Sequence, residues 1–334
     1  MNLNLELRGA RLLGAQDDVD AGFRQMGQTL AATAPTLEIL KLGMDMMDLV
    51  DSTFVEFCSV GLALLIQLRR LSLDVSCNRL TSIGVAALQH ALSPTVRDLE
   101  WILDCNRDAC FDCVDLHEAH GLRSVTLNVS NTYVTHLQMP AHVTCLRVDL
   151  QHSVRSLTAA AVDNRVHPYP MFLSGVGDVR QLRLHLDCNT VSILRHIPPT
   201  SGVEFDLKLD TFRMSVAAVN DVQASIGRYS TIGMLKRLDV YQSWHVVVES
   251  LSLLPMVLSV GRDLVSLQLE MPSATGVSPM LFAVAHYLVH LVEFCPGSGI
   301  YFPSNFRAFS NWKLSSSEKK NIPDPDFASR CKVP

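Results

Sequence analysis

Apolar and polar residues alternate over short stretches that recur along most of the chain. Leu71, Leu73 and Val75 occupy every second position ahead of Cys77-Asn78; Leu99, Trp101 and Leu103 do so ahead of Cys105-Asn106; Leu182, Leu184 and Leu186 do so ahead of Cys188-Asn189. A period of two sends successive side chains to opposite faces, so each stretch predicts a short strand with one apolar and one polar face. The Asn that closes each stretch suits a turn in which its amide bonds to backbone. Weaker copies begin near Leu40, Val125, Leu146, Phe205, Leu238 and Leu267, and Leu3, Leu5 and Leu7 predict a strand that opens the series.

Between strands the period changes. Ile83, Ala87, Leu88, Ala91 and Leu92 form one apolar stripe across 82–92, and Val216, Val219, Val222 and Ile226 form a looser one across 215–226; both predict amphipathic helices. Strand starts recur at intervals of about 28 residues, long enough for one helix per repeat. A single strand and helix of this size cannot bury their apolar faces alone, so stacking neighbours into one continuous core is the physical solution.

The run from Leu68 through Leu71-Ser72-Leu73 and Cys77-Asn78-Arg79-Leu80 to Ile83-Gly84-Val85-Ala86-Ala87-Leu88 resembles the leucine-rich-repeat family, in its ribonuclease-inhibitor-like subclass. Two extra residues before the Asn depart from the family spacing, and unequal repeats between 125 and 182 predict insertions there. The resemblance implies an α/β fold, a leucine-rich-repeat solenoid with a curved parallel sheet on the concave side and helices on the convex side. The competing fold is a doubly wound α/β sheet, whose strands, buried on both faces, read as continuous apolar runs. The polar alternate positions here favour the solenoid.

With 48% hydrophobic and 18% charged residues over 334 positions, the chain has material for a long core and not the composition of a disordered one. A formal charge of −5 supplies no basic surplus for phosphate backbones, so no nucleic acid is expected. No apolar run reaches the roughly 18 residues of a spanning helix, and nine scattered cysteines behind an opening without a cationic and apolar leader suit reduced thiols and an intracellular home. Cytoplasm, cilium or flagellum, and mitochondrion all stay open. Repeats are expected over 1–295 and a Pro- and aromatic-containing tail over 296–334, where Tyr301, Phe302, Phe306, Phe309 and Trp312 are the natural docking anchors.

The polar strand positions then define the expected partner-binding face: Asp74, Glu100, Asp104, Asp149, Arg183, His185, Asp187, Asp206, Asp210, Asp239, Tyr241 and Glu270. Their acidic bias points to a basic partner segment; ordinary solvated strand residues are the competing explanation. Cys105, Cys110, Cys113 and His117 have spacing that could ligate zinc or resemble an iron–sulfur run, against which Cys105 occupies the repeat position of Cys77 and Cys188 and reads as a packed core thiol. Nucleophile-elbow, phosphate-loop and zinc-helix motifs are absent from the sequence. The expected function is therefore that of a non-catalytic, cofactor-free scaffold or accessory subunit of a multiprotein assembly. The alternative is a reversible adaptor for one basic partner, with a metal-binding protein third.

Overall fold

The computed structural model describes residues 1–7, 16–106, 110–151, 172–187, 190–210, 216–241, 264–270 and 293–296. They form an α/β architecture rich in parallel strands and group into two compact units. The first comprises Met1–Leu184 and His196–Pro198, the second His185–Arg195 and Pro199–Pro334.

In the first unit strands alternate with helices: β1 (Asn2–Glu6), α1 (Gln16–Thr33), β2 (Ile39–Gly43), α2 (Asp51–Val60), a 3-10 turn at Leu62–Leu64, β3 (Arg70–Asp74), α3 (Ser82–Ala91) and β4 (Asp98–Ile102). From there strand follows strand through β5 (Cys110–Asp115), β6 (Ser124–Asn128), β7 (Tyr133–Gln138), β8 (Cys145–Asp149), β9 (Phe172–Ser174) and the start of β10 (Gln181–Leu186). β1, β2, β3, β4, β6 and β8 lie side by side, parallel and without a register slip. β5, β7 and β9 form a separate parallel sheet. Because α1 packs on α2, α2 on α3 and α3 on β5, this smaller sheet continues the layer that the helices begin.

A helix after every strand was the expectation; among the described residues it fails between β4 and β8, where β5 and β7 stand in place of helices. The starts at Leu99, Val125 and Leu146 are closer together than those of the preceding repeats. An extended return covers about 3.3 Å per residue against 1.5 Å in a helix, so a shorter connection closes as a strand.

The apolar alternates fill the space between the layers. Leu40, Leu71, Trp101, Val125, Leu127 and Leu146 are each 0–1% exposed, and burying one such side chain contributes about 1.5–3 kcal/mol. α1 meets α2 through Gly27 and Gly61, where a Cβ on Gly61 would stand 2.8 Å from the Gly27 Cα. Asp51, in the first turn of α2, caps the next helix: its Oδ1 accepts from the backbone N–H groups of Thr81 at 2.8 Å and Gly84 at 3.0 Å. In the same manner Thr53 of α2 donates to Asp20 of α1.

The ladder continues past the strand ends. Met44 N–H donates to Asp74 O, Val75 to Ile102 O, Leu103 to Asn128 O and Val129 to Asp149 O; two residues later Met46, Cys77, Cys105 and Asn131 donate to Ser76, Asp104, Ser130 and Gln151. Those four turn residues share a left-handed backbone with φ of 59°, 55°, 57° and 55°. Next in the chain, Asn78 is buried and bonds in both directions. Its Oδ1 accepts from Met47 and Leu49 N–H at 3.0 Å each, and its Nδ2 donates to Met44 O and Val75 O. Asn106 repeats the device one unit on, donating to Val75 O and Leu103 O and accepting from Leu80 N–H at 3.3 Å. At the following turn Thr132 takes the place and bonds Val129 O.

The second unit starts at the C-terminal end of β10 and runs through a 3-10 turn at Val191–Arg195, β11 (Glu204–Asp210), α4 (Val216–Thr231), β12 (Leu235–Tyr241), β13 (Ser266–Glu270) and β14 (Glu293–Pro296). β11 to β14 are consecutive parallel neighbours. The helix anticipated over 215–226 is α4 and extends to Thr231. Tyr229 lies fully buried against Phe205, edge to face with centroids 5.2 Å apart, and its hydroxyl donates to the Leu194 carbonyl. Arg228 donates to the same oxygen at 2.9 Å.

Asn78→Ala leaves two buried N–H donors and two carbonyls without that partner, and each such group costs about 1–3 kcal/mol; urea denaturation should show a loss of at least about 2 kcal/mol. Asp51→Ala removes only the helix cap and should cost about 0.5–2 kcal/mol in the same measurement, with the far-UV spectrum retained.

Candidate functional site

Facing away from the apolar layer, the large sheet of the first unit presents three rows of side chains set by register. One runs Asn2, Ile39, Arg70, Asp98, Ser124, Cys145; the next Asn4, Lys41, Ser72, Glu100, Thr126, Arg147; the third Glu6, Gly43, Asp74, Ile102, Asn128, Asp149. Neighbours in a row bond one another. Arg70 pairs with Asp98 through Nη2 at 3.0 Å, and Ser72 donates to Glu100 at 2.7 Å.

The third row does a different job. Asp74 Oδ1 accepts from Ser76 N–H at 3.0 Å, Asn128 Oδ1 from Ser130 N–H at 3.0 Å, and Asp149 Oδ1 from Gln151 N–H at 3.2 Å. These are Asx turns that begin the left-handed bend. Asp104, beyond the strand, accepts from Asn131 Nδ2 at 2.9 Å. So Asp74, Asp104 and Asp149 hold turns, and the basic residues Lys41, Arg70 and Arg147 share the face. In this unit the surface is mixed in sign rather than acidic. Arg183 is exposed and His185 half-buried along β10.

Asp187 does not lie on the exposed face. It is 2% exposed; its Oδ1 accepts from Thr190 N–H at 3.2 Å and from the Thr190 hydroxyl at 3.1 Å, while its own N–H donates to Thr190 Oγ1 at 2.9 Å. The alternation that predicted an outward carboxylate ends one residue earlier, with β10 at Leu186, and the carboxylate turns inward to cap the Val191–Arg195 turn.

In the second unit, register places Asp206 beside Arg237 and Lys208 beside Asp239, whereas Asp210, Tyr241 and Glu270 form a row with two acids and no base. The acidity read from sequence thus gathers at the C-terminal ends of β11 to β13. Tyr301, Phe302, Phe306, Phe309 and Trp312 lie outside the described residues.

The cysteines occupy different places from those expected. Cys105 is not core: it follows β4 at a left-handed turn position and is part-exposed, as its counterpart Cys77 is exposed. Period-two reasoning fails because the strand has ended and the turn reverses the side-chain direction. Burial, then the neighbouring Asp104 and the Cys77 thiol, push the Cys105 thiol up to about 12. Cys110 and Cys113 stand in β5 in register with Tyr133 and His136; the Cys110 side chain lies outside the described residues. His117 is engaged by Asp115, Nδ1 to Oδ1 at 2.6 Å. Among the described residues no three His, Cys, Asp or Glu side chains converge as metal ligands. Among them too, no helix is long and apolar enough to cross a membrane.

The sequence reading missed the asparagine bridges between units as a source of rigidity, although the recurring Cys-Asn pair was their signal. No protein-family model matches the chain, and no curated protein matches it.

Since Asp187 is a buried cap, Asp187→Ala should lower stability by about 1–3 kcal/mol. Thermal unfolding checks this; a variant as stable as wild type would mean that the Thr190 bonds contribute nothing.

Proposed function

We infer that the chain is a leucine-rich-repeat solenoid serving as a non-catalytic scaffold or accessory subunit, which binds protein partners through the polar face of its parallel strands. The observation that carries this reading is the rigid, in-register display of polar side chains over buried apolar alternates in the first unit. Side chains pre-fixed by row bonds such as Arg70–Asp98 and Ser72–Glu100 lose little freedom when a partner arrives, which lowers the cost of association. The parallel strands, the left-handed turn after β2, β3, β4 and β6, and the buried asparagines that join neighbouring strand ends of the first unit support the solenoid part of the reading.

A second reading, reversible capture of one basic segment, draws on the Asp210–Tyr241–Glu270 row in the second unit. An aromatic flanked by two acids suits an extended Lys- or Arg-containing peptide, through charge and cation–π attraction.

Native purification followed by a high-salt wash separates the readings. A scaffold keeps stoichiometric partners, and the double variant Ser72→Arg with Thr126→Arg, which sets bulk on the first-unit face, should release them. An adaptor instead loses its partner in salt, and Asp210→Lys with Glu270→Lys should weaken retention at low salt by about ten-fold or more. If neither pair of substitutions alters retention at either salt concentration, both strand-face readings are wrong.

A further inference from the structure

One column of the first unit carries sulfur in three consecutive turns. Met46, Cys77 and Cys105 each sit three residues past Gly43, Asp74 and Ile102, which are in-register neighbours in β2, β3 and β4. The ladder persists through the turns: Met46 N–H donates to Ser76 O at 3.0 Å, and Cys77 N–H to Asp104 O at 2.8 Å. All three residues have the same left-handed backbone, φ 55° to 59°. Identical backbone conformations in register send their Cα–Cβ bonds in nearly the same direction, so the three side chains are related by a translation close to the strand spacing of about 4.8 Å. They are also accessible, Met46 being 58% exposed, Cys77 exposed and Cys105 part-exposed.

We propose that the Cys77–Cys105 pair of this column is a binding site for a single soft monovalent d10 cation, Cu(I), held between the two sulfurs. The redox state of the two thiols decides between this and the other chemistry open to them. A disulfide draws the sulfurs to about 2.05 Å and is open to cysteines whose Cα atoms stand about 4.4–6.8 Å apart; in the reduced protein the two thiols stay side by side, hydrogen-bonded to each other. In that state two metal–thiolate bonds, about 2.3 Å each in zinc sites, bridge sulfurs up to about 4.6 Å apart. Thiolate and thioether donors select soft cations. Zinc would require four ligands, and no set of three His, Cys, Asp or Glu ligands converges among the described residues.

Binding replaces two S–H bonds with two S–Cu bonds: one Cu(I) and two thiols give an anionic bis-thiolate complex and two protons released to solvent. No electron is transferred. The Cys105 thiol resists ionisation because of burial and its neighbours Asp104 and Cys77, so the cation must displace that proton.

The experiment titrates Cu(I) into the reduced full-length chain without oxygen, against a chromogenic Cu(I) chelator. Wild type should hold one equivalent. Cys77→Ser and Cys105→Ser should each weaken retention by roughly 100-fold, while Met46→Leu, and Cys145→Ser on the strand face, should leave it unchanged. Silver ion offers a readout that needs no variant: one equivalent should shield Cys77 and Cys105 from alkylation in peptide mapping and leave Cys145 labelled. Retention of the equivalent by a Cys77→Ser, Cys105→Ser double variant would overturn the proposal. So would equal alkylation of all three cysteines with and without silver.

Discussion

Everything in the first unit hangs on satisfying backbone groups where the strands stop. A parallel sheet cannot turn by a hairpin, so each strand must bend away from its neighbours with its N–H and C=O groups exposed to an apolar interior, where an unmatched group costs as much as a buried leucine contributes. The bend is made at Met46, Cys77, Cys105 and Asn131 in one shared left-handed conformation, which keeps the inter-strand bonds going for two more residues. The amides of Asn78 and Asn106 then take up the remaining groups. The recurrence of this bend at four successive strand ends keeps the strands in register, and with them the burial of Trp101 and the rows of polar residues.

Much of that was legible in the chain. Alternation located β2, β3, β4, β6, β8 and β10 to within a residue or two, because period two is a local property and the buried face is apolar without exception. The return segments were harder to read. β5 and β7, six residues each, lack a clean apolar–polar alternation, and the cysteines of β5 drew attention to ligand chemistry; what set their conformation was the distance to be spanned, a non-local quantity. α1 was likewise missed, since Asp17, Asp18, Asp20 and Gly22 dilute its apolar stripe and its packing depends on the Gly27–Gly61 approach.

The binding face was legible as a list of positions and not as an electrostatic surface. Counting carboxylates along strands takes no account of what each bonds to. Asp74 and Asp149 are committed to turns, Asp98 to Arg70, and Asp187 to Thr190, so the net sign of a row follows from register, which brings residues about 28 apart in sequence into contact. Glu56 shows the same point on the helices. Hydrogen bonding to Arg24 holds its carboxyl below the ordinary range, yet as a solvent-accessible surface pair it says little about stability.

Bonds between neighbouring strand–helix segments of the first unit run in both directions. Asn78 reaches back to Met44, Met47 and Leu49, whereas Asp51 reaches forward to Thr81 and Gly84. An unfolding front moving along the first unit therefore exposes orphaned groups on both sides of whatever boundary it creates. Such a boundary carries a high interfacial free energy, of the kind that makes a one-dimensional array melt as a block instead of fraying unit by unit. Amide hydrogens from β2 through β4 should then exchange with a common protection, set by the block and not by the depth of each residue.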